Sequence, residues 1–245
     1  MQGLDGLRAI AVACVLVAHA SDSPDNPTLL YRIALELRLG ALGVKLFFVI
    51  SGFIITWLLL REERRHGDIS LRFFWLRRSV RIIPPLAGYL AVVFLLSFFF
   101  QHIAPNPRDY LAAITFSWGW WADVENWWVG HTWSLSIEEQ FYALWPLAFT
   151  LLIRKSATRM MLVLLALGVA SAAWRCWLAM DGASLARMYN GTDVRLDGLC
   201  LGAALAFYRR GHLQDLGEGA RTLLTHATPV VALVLFIWEI GRAHV

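Results

Sequence analysis

Leu39-Gly40-Ala41-Leu42-Gly43-Val44-Lys45-Leu46-Phe47-Phe48-Val49-Ile50-Ser51-Gly52-Phe53-Ile54-Ile55-Thr56-Trp57-Leu58-Leu59-Leu60 carries a single charge in 22 residues. A helix needs about 20 apolar residues to cross the roughly 30 Å hydrocarbon core of a bilayer, so this stretch reads as a membrane span. Outward along the chain, Met160–Ala179 satisfies the same rule. Leu7–Ala20, Leu86–Phe100, Gln140–Ile153, Leu196–Tyr208 and Ala227–Trp238 are shorter apolar runs that need flanking polar or aromatic residues to complete a crossing. Composition agrees: 58% of the 245 residues are apolar and 16% are charged, against about 25% charged in soluble domains. The fold class expected is all-α, a polytopic transmembrane helix bundle with seven or eight spans.

The net charge of +4 matters less than its placement. Basic residues gather in Arg61–Arg81, which reads as the longest basic loop, in Arg154–Lys155–Arg159, and in Arg209–Arg210. Putting all three in the cytoplasm, as the positive-inside rule requires, makes the N-terminus cytoplasmic. Ser21–Arg38, His102–Trp133 and Met180–Val194 then face outward, provided that Tyr110–Trp121 does not cross. The expected location is the cell (inner or plasma) membrane, multi-pass. No basic stripe lies on a soluble face, so nucleic acid is not an expected partner. Cys14, Cys176 and Cys200 all lie in apolar runs and read as small buried hydrophobes rather than disulfide or metal ligands. The first apolar run holds Arg8 and His19 with no cleavage site after it, so it reads as a retained helix, not a signal peptide.

Ionisable side chains inside spans are costly and mark functional candidates. Arg8 and His19 are eleven positions apart, about 16 Å along a helix and close to three turns, so they share a face. They describe either a reaction channel or a snorkelling arginine with a histidine at the helix end. Arg78 and Arg81, just before Pro84 and Pro85, have the i, i+3 spacing that suits phosphate recognition; an ordinary cytoplasmic anchor is the alternative. His131-Thr132-Trp133-Ser134-Leu135-Ser136-Ile137-Glu138-Glu139-Gln140-Phe141-Tyr142 places two carboxylates at a span entrance. Thr132 or Ser134 would cap that helix, which accounts for one glutamate better than for both. Arg195 and Asp197 again put charge at a span start, pairing with each other or with the first helix. The outer indoles Trp118, Trp120, Trp121, Trp127, Trp128 and Trp133 read as an interfacial belt or as a stacking surface for a sugar.

Taken together these residues resemble the acyltransferase-3 family of membrane acyltransferases, which O-acylate cell-surface sugars. Four pieces carry the resemblance: Leu4–Val12 ending at His19, Gly43–Thr56, Arg77–Pro85, and Trp133–Tyr142. Arg195–Leu199 with Gly202 is a weaker fifth, and the pieces keep the family's order across nearly the whole chain. The resemblance implies that His19 is the catalytic residue of a basic-residue–ten–His motif begun by Arg8. It implies that Arg78 and Arg81 contact acyl-CoA, and that Glu138 fills the acidic position of the family's WSL-x-x-E signature. Lys45 departs from the family, which usually has Asp there, and reverses the charge at that position.

The expectation is transfer of an acyl group, taken as acetyl, from cytoplasmic acyl-CoA to a hydroxyl of an extracytoplasmic carbohydrate or glycan. His19 and Glu138 would be catalytic, and Arg8, Arg78 and Arg81 would bind the donor. Trp133, Glu139, Arg195 and Asp197 are candidate substrate contacts. No tightly bound cofactor and no metal are expected. His19 would serve as general base or transient acyl carrier. The alternative is a multi-pass transporter with an Arg/His/Glu pathway, although no inverted repeat is visible and the Arg-x-x-Arg pair has no role in it. The chain closes on Glu239-Ile240-Gly241-Arg242-Ala243-His244-Val245, the translation of the common sequencing-adapter sequence GAGATCGGAAGAGCACACGTC. The acyltransferase-3 unit is therefore expected over 1–238, incomplete relative to the family's ten or so spans, with 239–245 as read-through.

Overall fold

The computed structural model describes residues 2–20, 29–120, 126–152 and 156–209, and these are helical with short connections. The helices are α1 (Gln2–Ala20), α2 (Leu29–Glu36), α3 (Leu39–His66), α4 (Leu71–Ser97), α5 (Pro107–Ile114), α6 (Trp127–Gly130), α7 (Thr132–Leu152), α8 (Ala157–Met180), α9 (Leu185–Asn190) and α10 (Leu196–Arg209). Three of them, α3, α4 and α8, are long and apolar enough to cross a membrane. α1, α7 and α10 overlay three other expected spans with 19, 21 and 14 residues. The expected span Ala227–Trp238, the terminal heptapeptide, Trp121, Arg154, Lys155 and Arg210 lie outside the described residues. α5 has eight residues, about 12 Å of helix, so the helical part of Tyr110–Trp121 does not reach across a bilayer.

The basic segment Arg61–Arg81 is corrected by the structure. α3 continues to His66 and α4 begins at Leu71, so only residues 67–70 connect them. Arginine is a good helix former, and apolar length alone hid both helix ends. Gly67, at φ 72°, closes α3 in the left-handed conformation with its N–H on the Glu63 carbonyl.

α3 is the centre of the bundle, and glycines let its neighbours approach it. A Cβ on Gly43 would lie 2.6 Å from the Ala11 carbonyl oxygen of α1. On the other side, a Cβ on Gly52 would lie 2.0 Å from the Leu199 carbonyl, and one on Gly202 only 1.9 Å from that of Val49. Gly198 and Gly202 form a G-x-x-x-G frame on α10, which runs parallel to α3 with the backbones in contact; small residues perform this role in membrane bundles. α8 lies antiparallel on α10, with Gly168 beside Asp197 and Cys200.

α7 crosses α3 through an aromatic core of Phe141, Tyr142, Trp145 and Phe149. Pro146 lies inside α7 and lacks the N–H that the Tyr142 carbonyl would otherwise receive. The Trp75 indole of α4 donates to that carbonyl instead, at 3.3 Å. Trp145 also donates to the Thr56 hydroxyl at 2.9 Å. α4 is the least covered of the three long apolar helices, with Phe73, Ile83, Val92 and Phe94 all exposed. Such a continuous apolar face is stable only against lipid or another helix.

Candidate active site

The cytoplasm-assigned end of α3 and the start of α4 enclose an open cleft of about 1270 Å³. Arg61, Arg65, Arg72, Arg77, Arg78 and Arg81 line it, with Glu62 and Asp68 as the carboxylates. Arg77 is paired to Glu62 at 3.0 Å. Arg81 is exposed in the cleft, whereas Arg78, three residues earlier, turns inward. α4 runs through Pro84 and Pro85, so the carbonyls of Val80 and Arg81 lack their usual i+4 donors beside this cleft.

Arg78 leaves the cleft for the helix interior. Its guanidinium lies 3.6 Å over the Tyr142 ring, a cation–π contact, and its Nε is 3.9 Å from Glu139 Oε1. That gap is too long for a hydrogen bond, and both atoms are buried without one. Next along α7, the buried Glu138 accepts from the Ser51 hydroxyl of α3 at 2.5 Å, and the buried Tyr142 lies one turn further along the same helix. A carboxylate held this deep requires such partners, because burying it unpaired is far more costly.

At the far end of α3 lies a cavity of about 720 Å³ that receives His19 from α1. Trp118, Trp128, Trp133, Tyr89 and His131 form much of its wall. Tyr89 meets the His131 imidazole edge-on, ring centres 5.1 Å apart, and its hydroxyl donates to the Trp128 carbonyl. Burial, and then the neighbouring His19, hold His131 below the ordinary imidazole value. Trp133 packs 4.6 Å from Tyr189 and edge-on to Phe48 at 6.0 Å. Arg195 lies behind this wall, 4.6 Å over the Tyr189 ring, with its Nε donating to the Tyr189 carbonyl.

The expected site residues thus separate into levels. Arg78 and Arg81 share the cleft; Glu138 and Glu139 lie between cleft and cavity; His19 and Trp133 share the cavity. Arg8 is half-buried on α1 and lines neither space. Glu138 is bonded to Ser51, not to His19. Asp197 pairs with Arg175 of α8 at 2.8 Å, and its charge also acts on Arg195. Lys45 lies near that same carboxylate, so the cation at position 45 has an opposite charge to face. The Thr132 and Ser134 hydroxyls do not cap α7; they donate back to the carbonyls of Val129 and His131.

Arg175, Ser51, Tyr142, Tyr89 and His131 were not among the expected site residues. Arg175 was open to discovery, being an arginine within the apolar run Met160–Ala179. The neutral hydroxyls gave no comparable signal.

The described residues form an all-helical bundle, three of its helices long and apolar enough to cross a membrane, with two glutamates between a basic cleft and a histidine-bearing cavity. The family profile described as an acyltransferase domain matches residues 1–244, and the chain belongs to that family, acyltransferase-3. It is similar to the peptidoglycan O-acetyltransferase OatA of Listeria monocytogenes, 34% identical over 220 residues, which cover 83% of this chain and 33% of that protein. It is likewise similar to the O-acetyltransferase OatA of Staphylococcus aureus, 37% identical over 219 residues, 84% of this chain and 34% of that protein. The chain thus spans about one third of the length of these curated relatives. No solved structure matches it.

Proposed function

We propose that this chain is the membrane unit of an O-acetyltransferase that takes acetyl from cytoplasmic acetyl-CoA and delivers it to a hydroxyl of an extracytoplasmic glycan. One observation carries the reading: a basic cleft at one end of α3, a histidine cavity at the other, and Glu138 buried at a level between them. From Val44 at the cavity to Arg61 at the cleft is 17 residues of α3, about 26 Å and close to the thickness of the hydrocarbon core. The names of the Listeria and Staphylococcus relatives support an O-acetyl product and a peptidoglycan-like acceptor. The bundle is multi-pass in the cell membrane with a cytoplasmic N-terminus.

In this mechanism the arginines of the cleft hold the phosphates of the donor, Arg81 from the rim and Arg78 from the inner wall. The thioester arm passes the Arg78–Tyr142–Glu138 level and presents its carbonyl in the cavity. His19 accepts the proton of the acceptor hydroxyl as its oxygen attacks that carbonyl; the C–S bond breaks and the thiolate takes up a proton. Glu138, fixed by Ser51, is a positioning residue at the passage. The aromatic wall stacks the sugar.

The test is transfer of labelled acetyl from acetyl-CoA to the envelope fraction of cells that express the protein. The parent incorporates label; His19→Ala and the Arg78→Ala/Arg81→Ala double variant do not. Label undiminished in His19→Ala would overturn the mechanism and favour the transporter alternative.

A further inference from the structure

The His19 cavity continues beyond its own wall. Trp118 and Asn190 also line a second cavity of about 320 Å³, closed by Trp120, Arg187, Thr192 and Asp193. That volume is at the small end of ligand sites, roughly 300–1,000 Å³, room for one compact unit rather than a chain. The transfer mechanism makes no use of it.

Its walls are held in place from several directions. Gln140 of α7 donates to the Phe116 carbonyl at 2.6 Å and accepts from the Thr192 hydroxyl at 2.7 Å, so one side chain ties both walls together. Phe116 has φ 52°, a left-handed conformation that bulky residues seldom adopt. Two residues on, Trp118 enters the shared wall. Gly119 then presses on α9, where an added Cβ would be 2.4 Å from the Asn190 carbonyl. On the facing wall Arg187 grips both oxygens of Asp193, at 2.9 and 2.5 Å, and the Trp174 indole donates to the same carboxylate at 2.8 Å.

An exposed ion pair adds little to stability, so a carboxylate fixed by three donors at a cavity rim is better explained by what it presents. Guanidinium and carboxylate side by side offer donors and acceptors to vicinal hydroxyls. Trp120 supplies the complementary surface: the residue lines the cavity and is 77% exposed. A flat aromatic face beside fixed polar groups matches a pyranose, which has apolar C–H faces and a polar equator.

We infer that the second cavity is a saccharide subsite, which holds the sugar next to the one acetylated at His19. The acceptor is accordingly a glycan chain of at least two units, not a free monosaccharide or a lipid alcohol. This rests on the reading of the His19 cavity as the acceptor site.

The experiment uses the membrane-embedded protein with labelled acetyl-CoA. Acceptors are glycan strands from the host envelope, intact and enzymatically reduced to single sugar units. The parent prefers chains over single units, and Trp120→Ala and Arg187→Ala each cut that preference about tenfold through KM, near the worth of one stacked ring or one charged contact. Trp120→Phe restores most of it, and His19→Ala abolishes transfer to both acceptors. Equal use of chains and single units by the parent overturns the subsite alone. So does a Trp120→Ala variant whose only change is lower membrane abundance, which would make the indole an interfacial anchor. No transfer by the folded parent to either acceptor overturns the functional reading beneath it.

Discussion

The decisive residues are those that would be too expensive to bury without a partner. Glu138 and Ser51 are 87 positions apart in sequence and 2.5 Å apart in space. Removing the hydroxyl strips a buried carboxylate of one of its donors, so Ser51→Ala should cost about 1–3 kcal/mol in detergent-solubilised protein. Combined with Glu138→Gln, the losses should be less than additive; strict additivity in the double-mutant cycle would show that the contact is energetically idle. His131 gives a pH signature. Because the folded chain resists a proton that the unfolded chain accepts, stability falls as pH drops below about 6.5. His131→Gln should flatten that acid limb in melting curves taken from about pH 7 to 5, and an unchanged limb would count against the shift. Charge in or at the entrance of apolar runs singled out His19 and Glu138 as candidates from sequence, since burial of charge is costly everywhere, and i, i+3 spacing singled out Arg78. Ser51 and Tyr142 could not be found that way: a hydroxyl in a span is cheap, and only packing reveals what it touches.

Helices were legible where hydropathy defined them and obscured where charge did. The apolar cores of α1, α3, α7, α8 and α10 were recognisable, but the arginine-rich end of α3 and start of α4 read as a loop. Helix hydrogen bonding is indifferent to that charge; hydropathy is not. The crossings of α3 depend on glycine. Gly202→Ala would force a methyl to within 1.9 Å of the Val49 carbonyl, and overpacking against backbone costs about 1–3 kcal/mol or more. Folded yield should drop sharply. Gly88→Ala in α4, where a Cβ meets nothing within 4 Å, is the matched control and should fold at least as well as the parent. Equal yields for the two would remove the close-crossing account of the α3–α10 pair.

At the scale of the molecule the proposal is directional: donor from one side of the membrane, acceptor from the other. Two substitutions read this out in a background with Cys14, Cys176 and Cys200 replaced by Ala. Arg65→Cys, at the cleft, should react with an impermeant maleimide only after the cells are opened. Leu185→Cys, on the 82% exposed Leu185 position at the opposite end, should react in intact cells. Labelling of both from one side would dismantle the topology and the path built on it. Sequence reached this orientation through the distribution of arginine, but not the junction of two cavities at Trp118 and Asn190. That junction joins the 116–120 turn to the end of α9, segments about 70 residues apart, with no periodic or charged pattern to connect them.

The backbone contact between α3 and α10 also constrains how such proteins can be recombined. Where side chains separate two helices, one can be exchanged and its neighbours repack around it. Here the interlocking surface is main chain set against glycine, with no rotamers to absorb a poor fit. A hybrid that borrows α3 from a relative should fold only if α10 is borrowed with it, which makes the two helices a single heritable unit separated by more than a hundred residues of sequence.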